Sequence, residues 1–193
     1  MSFPSPGQIP SMQDMMNMYR PRPAFKKELN LNDQWRGRWV DEQELPEYAP
    51  VNYAYAFVLM GGKGYVTRPK DGDSHWDTIE GAVEAGENAE KFVRRSAMER
   101  MGATVGTLEM IGFFECRATS HNPDYAVGSI TVRPLYLVVA KKIDDVPEGS
   151  GYARRRLPLN EYMKAMRDRY AEIPEYVGMA GSRYVVLEAK GQG

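Results

Sequence analysis

Residues 75 to 105, HWDTIEGAVEAGENAEKFVRRSAMERMGATV, hold a glycine-punctuated acidic loop and then a helix whose two ends are both marked. Asn88 is a residue type that starts helices, because its side chain accepts a backbone N–H that would otherwise lack a partner. Gly102 is a type that ends them, because the chain there turns through a left-handed backbone. Between the two, Ala89, Phe92, Val93, Ala97 and Met101 recur at helical spacing and form the stripe that must be buried. Ser96, Glu99, Arg100 and Ala103 lie three or four apart and are expected on another face, with Arg94 and Arg95 beside them. Ahead of the helix, Gly81 and Gly86 allow a tight loop, which Glu80, Glu84 and Glu87 line with acid.

Such a helix needs a layer to pack on, and the flanking sequence supplies strands. Val51 to Met60 is β-rich, GGKG at 61–64 reads as a hairpin turn, and YVTRP at 65–69 as the returning strand. Strands are expected at 107–117 and 130–142, where Pro134 requires an edge or a bulge. RRRLP at 154–158 reads as a further strand and Asn160 as the cap of a helix at 161–170. RYVVLEA at 183–189 reads as a last strand. The pattern predicts an α/β (α+β) chain, with helices packed on a mixed β-sheet. The main domain is expected at 51–193, after the acidic, proline-broken stretch at 41–50. Residues 1–50 are expected to be an N-terminal extension, partly disordered, with a methionine-rich helix at 12–19 and, at 34–40, a strand or an extended arm whose Trp35 and Trp39 either pack in the core or make a sticky docking surface.

The loop and helix resemble the Nudix box. In that pattern a Gly is followed after five residues by Glu, and after seven more by Arg-Glu, an apolar residue, any residue, Glu-Glu, any residue, Gly and an apolar residue. Gly81, Glu87, Arg95, Ala97, Glu99, Gly102 and Ala103 match in register. Ser96 and Arg100 stand in place of two of the glutamates, and Ile79-Glu80-Gly81 replaces the usual Pro-Gly-Gly. The resemblance implies a Nudix-like α/β/α sandwich around a mixed sheet. It also implies metal-dependent cleavage of a phosphoanhydride in a nucleoside diphosphate derivative, with Mg2+ or Mn2+ held by glutamates on one helix face.

Three readings of the degenerate box stay open. In the first, a displaced site works: Glu99 is joined by Glu80, Glu84, Glu87 or Glu115 around the metal, and His121 or Asp124 supplies a base. In the second, Arg100 replaces the metal and holds a phosphate directly, giving binding without turnover. In the third, Glu87 and Arg95 tie loop to helix by a salt bridge, and the frame is structural. The candidate site residues are therefore Glu87, Arg95 and Glu99 as the catalytic frame. Arg100, Arg68, Glu80, Glu84 and His121 are candidate substrate contacts, and Glu99, Glu84 and Glu115 a weak metal set. The third reading implies a silent Nudix-fold subunit that binds RNA, nucleotide or protein in a larger assembly such as a mitochondrial ribosome. A homodimer or assembly contact is expected through residues 11–40.

Composition narrows the partners. The net charge of −1 and pI near 6.2 give no general attraction to nucleic acid or an anionic membrane. No apolar run is long enough to cross a bilayer, and the proline-rich start predicts no secretory signal. The expected location is intracellular, in the cytoplasm or an organelle matrix. The one cysteine, Cys116, forms no internal disulfide and is expected to be buried and inert.

Overall fold

The computed structural model describes residues 28–72 and 74–191. Eight strands form one sheet: β1 (Leu29–Leu31), β2 (Trp35–Val40), β3 (Tyr53–Met60), β4 (Lys63–Pro69), β5 (Ile79–Ala82), β6 (Ala103–Ala118), β7 (Ile130–Ile143) and β8 (Tyr152–Pro158). Three helices accompany them among the described residues: α1 (Ala89–Met101), α2 (Leu159–Arg169) and α3 (Pro174–Ala189). The strand order is β1-β2-β6-β7-β3-β4-β8. β3 runs parallel to β7, and the other pairings are antiparallel, so the sheet is mixed. The first half of β3 also pairs with β5, which brings the loop before α1 onto the sheet.

Alternation along β3 and β7 divides the interior in two. Tyr55, Phe57 and Leu59, with Leu135, Leu137 and Val139, face α2 and α3, where they meet Tyr162, Met166, Val177, Tyr184 and Leu187. Ala54, Ala56 and Val58, with Tyr136, Val138 and Ala140, face α1 and its stripe of Ala89, Phe92, Val93, Ala97 and Met101. The result is an α/β/α sandwich, as the resemblance implies. Alanines on both sides of the α1 interface let this helix lie close to the strands, while the aromatic-rich opposite face carries two helices.

Three expectations are corrected. RYVVLEA at 183–189 is the end of α3 rather than a strand. β-branched and aromatic residues there favour a strand in isolation. Read from Tyr176, however, Val177, Ala180, Gly181, Tyr184 and Leu187 fall on one helical face and are buried, and Val185 and Val186 are left exposed. Asn160 does not cap α2, which begins at Leu159 behind Pro158 with no side-chain cap. The expected bulge is present, since β6 shifts register between Met110 and Gly112 beside its Phe113–Pro134 pair, although β7 is central and Pro134 is not at an edge. Its missing N–H falls in a break of the β3 ladder, between the Val51–Val132 bridge and the pairing that resumes at Tyr55 and Leu135.

The third correction concerns the start of the domain. Residues before position 50 belong to the same sheet, because β2 pairs with β6 from Trp35–Ala118 to Val40–Phe113. Trp39 is 2% exposed and packs on Phe114 and Tyr176, with ring centroids 5.0 and 4.7 Å away. Trp35 is buried as well, so neither tryptophan is available to an external partner. The helix expected at 12–19 and the arm as far as residue 27 lie outside the described residues.

Removing the Trp39 ring from this interior should cost about 3–5 kcal/mol, the range for a buried large aromatic cut to alanine. Trp39→Ala should therefore lower the urea midpoint sharply without changing the cooperativity of the transition. An unchanged midpoint would return this segment to the status of a detached arm.

Candidate functional site

The loop–helix unit is closed by one arginine. Asn88 caps α1 as its residue type implies, accepting the Lys91 N–H through Oδ1 at 2.9 Å. Gly102 ends the helix with φ of 66°. A Cβ there would stand 2.5 Å from the carbonyl oxygens of Asp144 and Asp145, so only glycine fits. Two turns into α1, Arg95 points back over the loop. Its Nε and Nη2 donate to the two carboxylate oxygens of Glu87, each at 2.9 Å. Nη2 is 3.3 Å from Glu84, and Nη1 donates to Glu99 at 3.2 Å. One guanidinium thus gathers three carboxylates, two from the loop and one from the helix.

Burial ranks the three contacts. The Glu87 side chain is 13% exposed, against 53% for Glu99 and 72% for Glu84. The forked Glu87 pair has the geometry that gives charge-assisted hydrogen bonds their strength, whereas the other two are screened surface contacts. The Arg95 hydrogen bond holds the Glu87 carboxyl below its usual range. The same bond pushes Arg95 further up.

The two substituted box positions point elsewhere. Ser96 does not share the outer face expected for it. It is fully buried, and its Oγ has no hydrogen-bond partner among the described residues. A glutamate there would be driven into the interior beneath the sheet. Arg100 donates through Nη1 to the backbone carbonyl of Glu80 at 2.7 Å and lies over the Tyr152 ring at 5.0 Å. It clamps α1 to β5 and β8.

The carboxylates do not fit a divalent cation as they stand. Hard cations of this kind need several oxygens free to converge, and Glu84, Glu87 and Glu99 are each turned to the Arg95 guanidinium. Glu115, the remaining candidate ligand, lies on β6 in a separate contact. It accepts from Arg38 Nε at 2.9 Å and from the Tyr48 hydroxyl at 2.6 Å, and the Arg38 bond holds its carboxyl low. No group of three or more His, Cys, Asp or Glu side chains among the described residues is arranged to hold a metal.

The remaining candidates scatter. Arg68 stacks on Trp76 at 4.7 Å. His121 is exposed in the loop between β6 and β7, which is tied to the β1–β2 turn through Thr119 and Asn122. Asp124 is in that same exposed loop. Cys116 is buried, and burial pushes its thiol up to about 11, as an inert core thiol requires.

A cavity of about 550 Å³ opens beside the loop–helix unit, on the sheet face away from α1. Its lining includes Tyr53 and Tyr55 of β3, Glu80 of β5, Arg133 of β7, and Arg169 and Tyr170 at the end of α2. Tyr55 and Glu80 are direct cross-strand partners, which sets their side chains on one face. Arg133 lies between the rings of Trp35 and Tyr53, at 5.1 and 5.2 Å, and its Nε is buried without a hydrogen-bond partner. Arg169 donates to Asp77 at 2.7 Å. Glu80 makes no ion pair and no side-chain hydrogen bond among the described residues, and burial raises its carboxyl above the usual range. Sequence reasoning missed most of this site. Arg133 was the available signal, as a lone charge inside the apolar strand ITVRPLYLVVA. Nothing in the sequence tied Arg169 and Tyr170 to it.

No protein-family profile matches the chain, and neither does any curated protein. Solved structures with similar layouts include a point variant of the Bacillus subtilis pyrophosphohydrolase BsRppH, at 20% identity and a TM-score of 0.49 over 67% of this chain and 77% of that one. An Ap4A hydrolase of C. elegans in a binary complex is 16% identical, with a TM-score of 0.48 over 70% and 98%. A structure from work on the MutT proteins of Aliivibrio salmonicida and Vibrio cholerae is 18% identical, with a TM-score of 0.42 over 66% and 96%. Likeness at this level transfers no residue roles.

The Glu87 contact makes a stability prediction with a definite sign. A carboxyl held low in the folded state contributes stability above the unfolded carboxyl range, and loses it as pH falls through the folded value. Glu87→Gln should lower the melting temperature at neutral pH, and the gap to wild type should close in acid. Glu84→Gln, far more exposed, should change it little. Equal effects from the two, or a gap that widens in acid, would contradict the ranking.

Proposed function

We propose that this chain is a Nudix-like domain that binds a nucleotide in the cavity between β3, β7 and the end of α2, and that its box is a structural frame that does not carry metal-dependent hydrolysis. The observation that carries the reading is the fate of the two box positions that differ from the pattern. Ser96 is buried and Arg100 is bonded to the Glu80 carbonyl, so Glu99 is the one box carboxylate left on the helix, and it is turned to Arg95. Arg100, bonded to the Glu80 carbonyl, keeps the loop against the sheet and so fixes one wall of the cavity.

The cavity chemistry favours an aromatic, anionic ligand. Its volume is within the range of about 300–1,000 Å³ usual for small-molecule sites. Tyr53, Tyr55 and Tyr170 offer ring surface, and base stacking on such rings tolerates any base. Arg133 is held by two rings and its guanidinium lines the cavity, which suits it to a phosphate. Arg169 already serves Asp77, so it adds field more than a free bond.

Titration of a nucleoside diphosphate into the protein should give saturable binding with EDTA present, and added magnesium should leave the affinity unchanged. Arg133→Met should weaken binding by about tenfold, roughly the loss of one hydrogen bond to a charged group. A panel of ADP-ribose, dinucleoside polyphosphates and nucleoside triphosphates with magnesium or manganese should give no product above a Glu99→Gln control. Metal-dependent turnover above that control would overturn the reading.

A further inference from the structure

We propose that Glu80 makes the cavity selective for guanine, its carboxylate accepting the N1–H and the 2-amino N–H of the base. The proposal rests on the reading of the cavity as a nucleotide site, and it specifies which nucleotide. Glu80 lines the cavity beside Tyr55, its cross-strand partner, so a base lying against the tyrosines would bring its polar edge to the carboxylate. An ionised carboxylate can only accept hydrogen bonds. Among the common bases, guanine alone presents two adjacent donors on its pairing edge. Adenine and cytosine set one donor beside an acceptor, and uracil sets its donor between two acceptors. Each of these others would press a lone pair against the carboxylate or leave one oxygen unmatched.

The surroundings leave Glu80 open for this work. It faces Asp77, Arg169, Arg100 and Arg133 through space, and the phenols of Tyr53, Tyr55 and Tyr170 are around it. None of these cations is spent on it: Arg169 is bonded to Asp77, Arg100 to a backbone carbonyl, and Arg133 lies between two rings. A half-buried carboxylate without a partner is costly to keep, and the raised carboxyl of Glu80 is the sign of that cost. Two charge-assisted bonds from guanine would offset it. A site whose polar group needs both donors rejects an analogue lacking one more strongly than an apolar pocket rejects a missing methyl group.

The test measures binding of GMP, IMP, AMP, CMP and UMP to the full chain with EDTA present. IMP is the sharpest comparison, since it is guanine's nucleotide without the 2-amino group. GMP should bind about tenfold or more tightly than IMP, the worth of one hydrogen bond to a charged acceptor. In Glu80→Gln the side chain can match N1–H and the 6-oxo group alike in both ligands, so the preference for GMP over IMP should vanish. That variant should fold at least as stably as wild type, because a neutral amide replaces a desolvated charge. Arg133→Met should weaken all five by a common factor and leave their order unchanged. Equal binding of all five, or a preference that survives Glu80→Gln, would overturn the guanine assignment and leave the cavity reading standing. Failure of every nucleotide to bind would overturn both.

Discussion

The Arg95 guanidinium is the contact on which the arrangement of this molecule depends. It draws a loop carboxylate bidentately to the helix that follows, and thereby sets the path of residues 83–88 between β5 and α1. The loop's other end is fixed by β5, whose pairing with β3 places Glu80 beside Tyr55. Arg100 completes the frame from the same helix, one turn later, by holding the Glu80 carbonyl. Two guanidiniums thus hold an acidic loop against a helix by hydrogen bonding.

That arrangement limits what the unit can do. Carboxylates that surround an arginine are satisfied, and a cation would have to displace a permanent charge to use them. The cavity on the other face of the sheet has the opposite character. Glu80 and Arg133 are polar groups in a half-buried, aromatic setting with hydrogen-bonding capacity left over. Unsatisfied groups of this kind are expensive in a fold unless a ligand meets them. The unpaired polar groups are therefore gathered at the cavity, whose wall includes Glu80, just ahead of the box.

Much of the frame was legible in the sequence because it is local. The capped ends of α1, its buried stripe and the hairpin at 61–64 depend on residues within a few positions of each other. What failed was either ambiguous or long-range. The segment 183–189 carries strand-like residues whose helical phase shows only when Tyr176 and Val177 are included. The segment with Trp35 and Trp39 read equally as strand or arm because the partners that decide it, Tyr125 and Arg133 for Trp35 and Phe114 and Tyr176 for Trp39, are far away in the chain. Ser96 was placed on the outer face by spacing alone, and packing against the sheet decided otherwise. The cavity needed the β3–β5 and β3–β7 pairings together, which no sequence interval could supply.

The most direct measurement is a crystal structure of the protein soaked with both a guanine nucleotide and manganese, with anomalous data collected at the manganese edge. The account predicts a nucleotide in the cavity between Tyr53, Glu80 and Arg133, the Arg95–Glu87 fork intact, and no anomalous peak at Glu84, Glu87 or Glu99. A manganese ion coordinated by those carboxylates, with Arg95 swung aside, would contradict it.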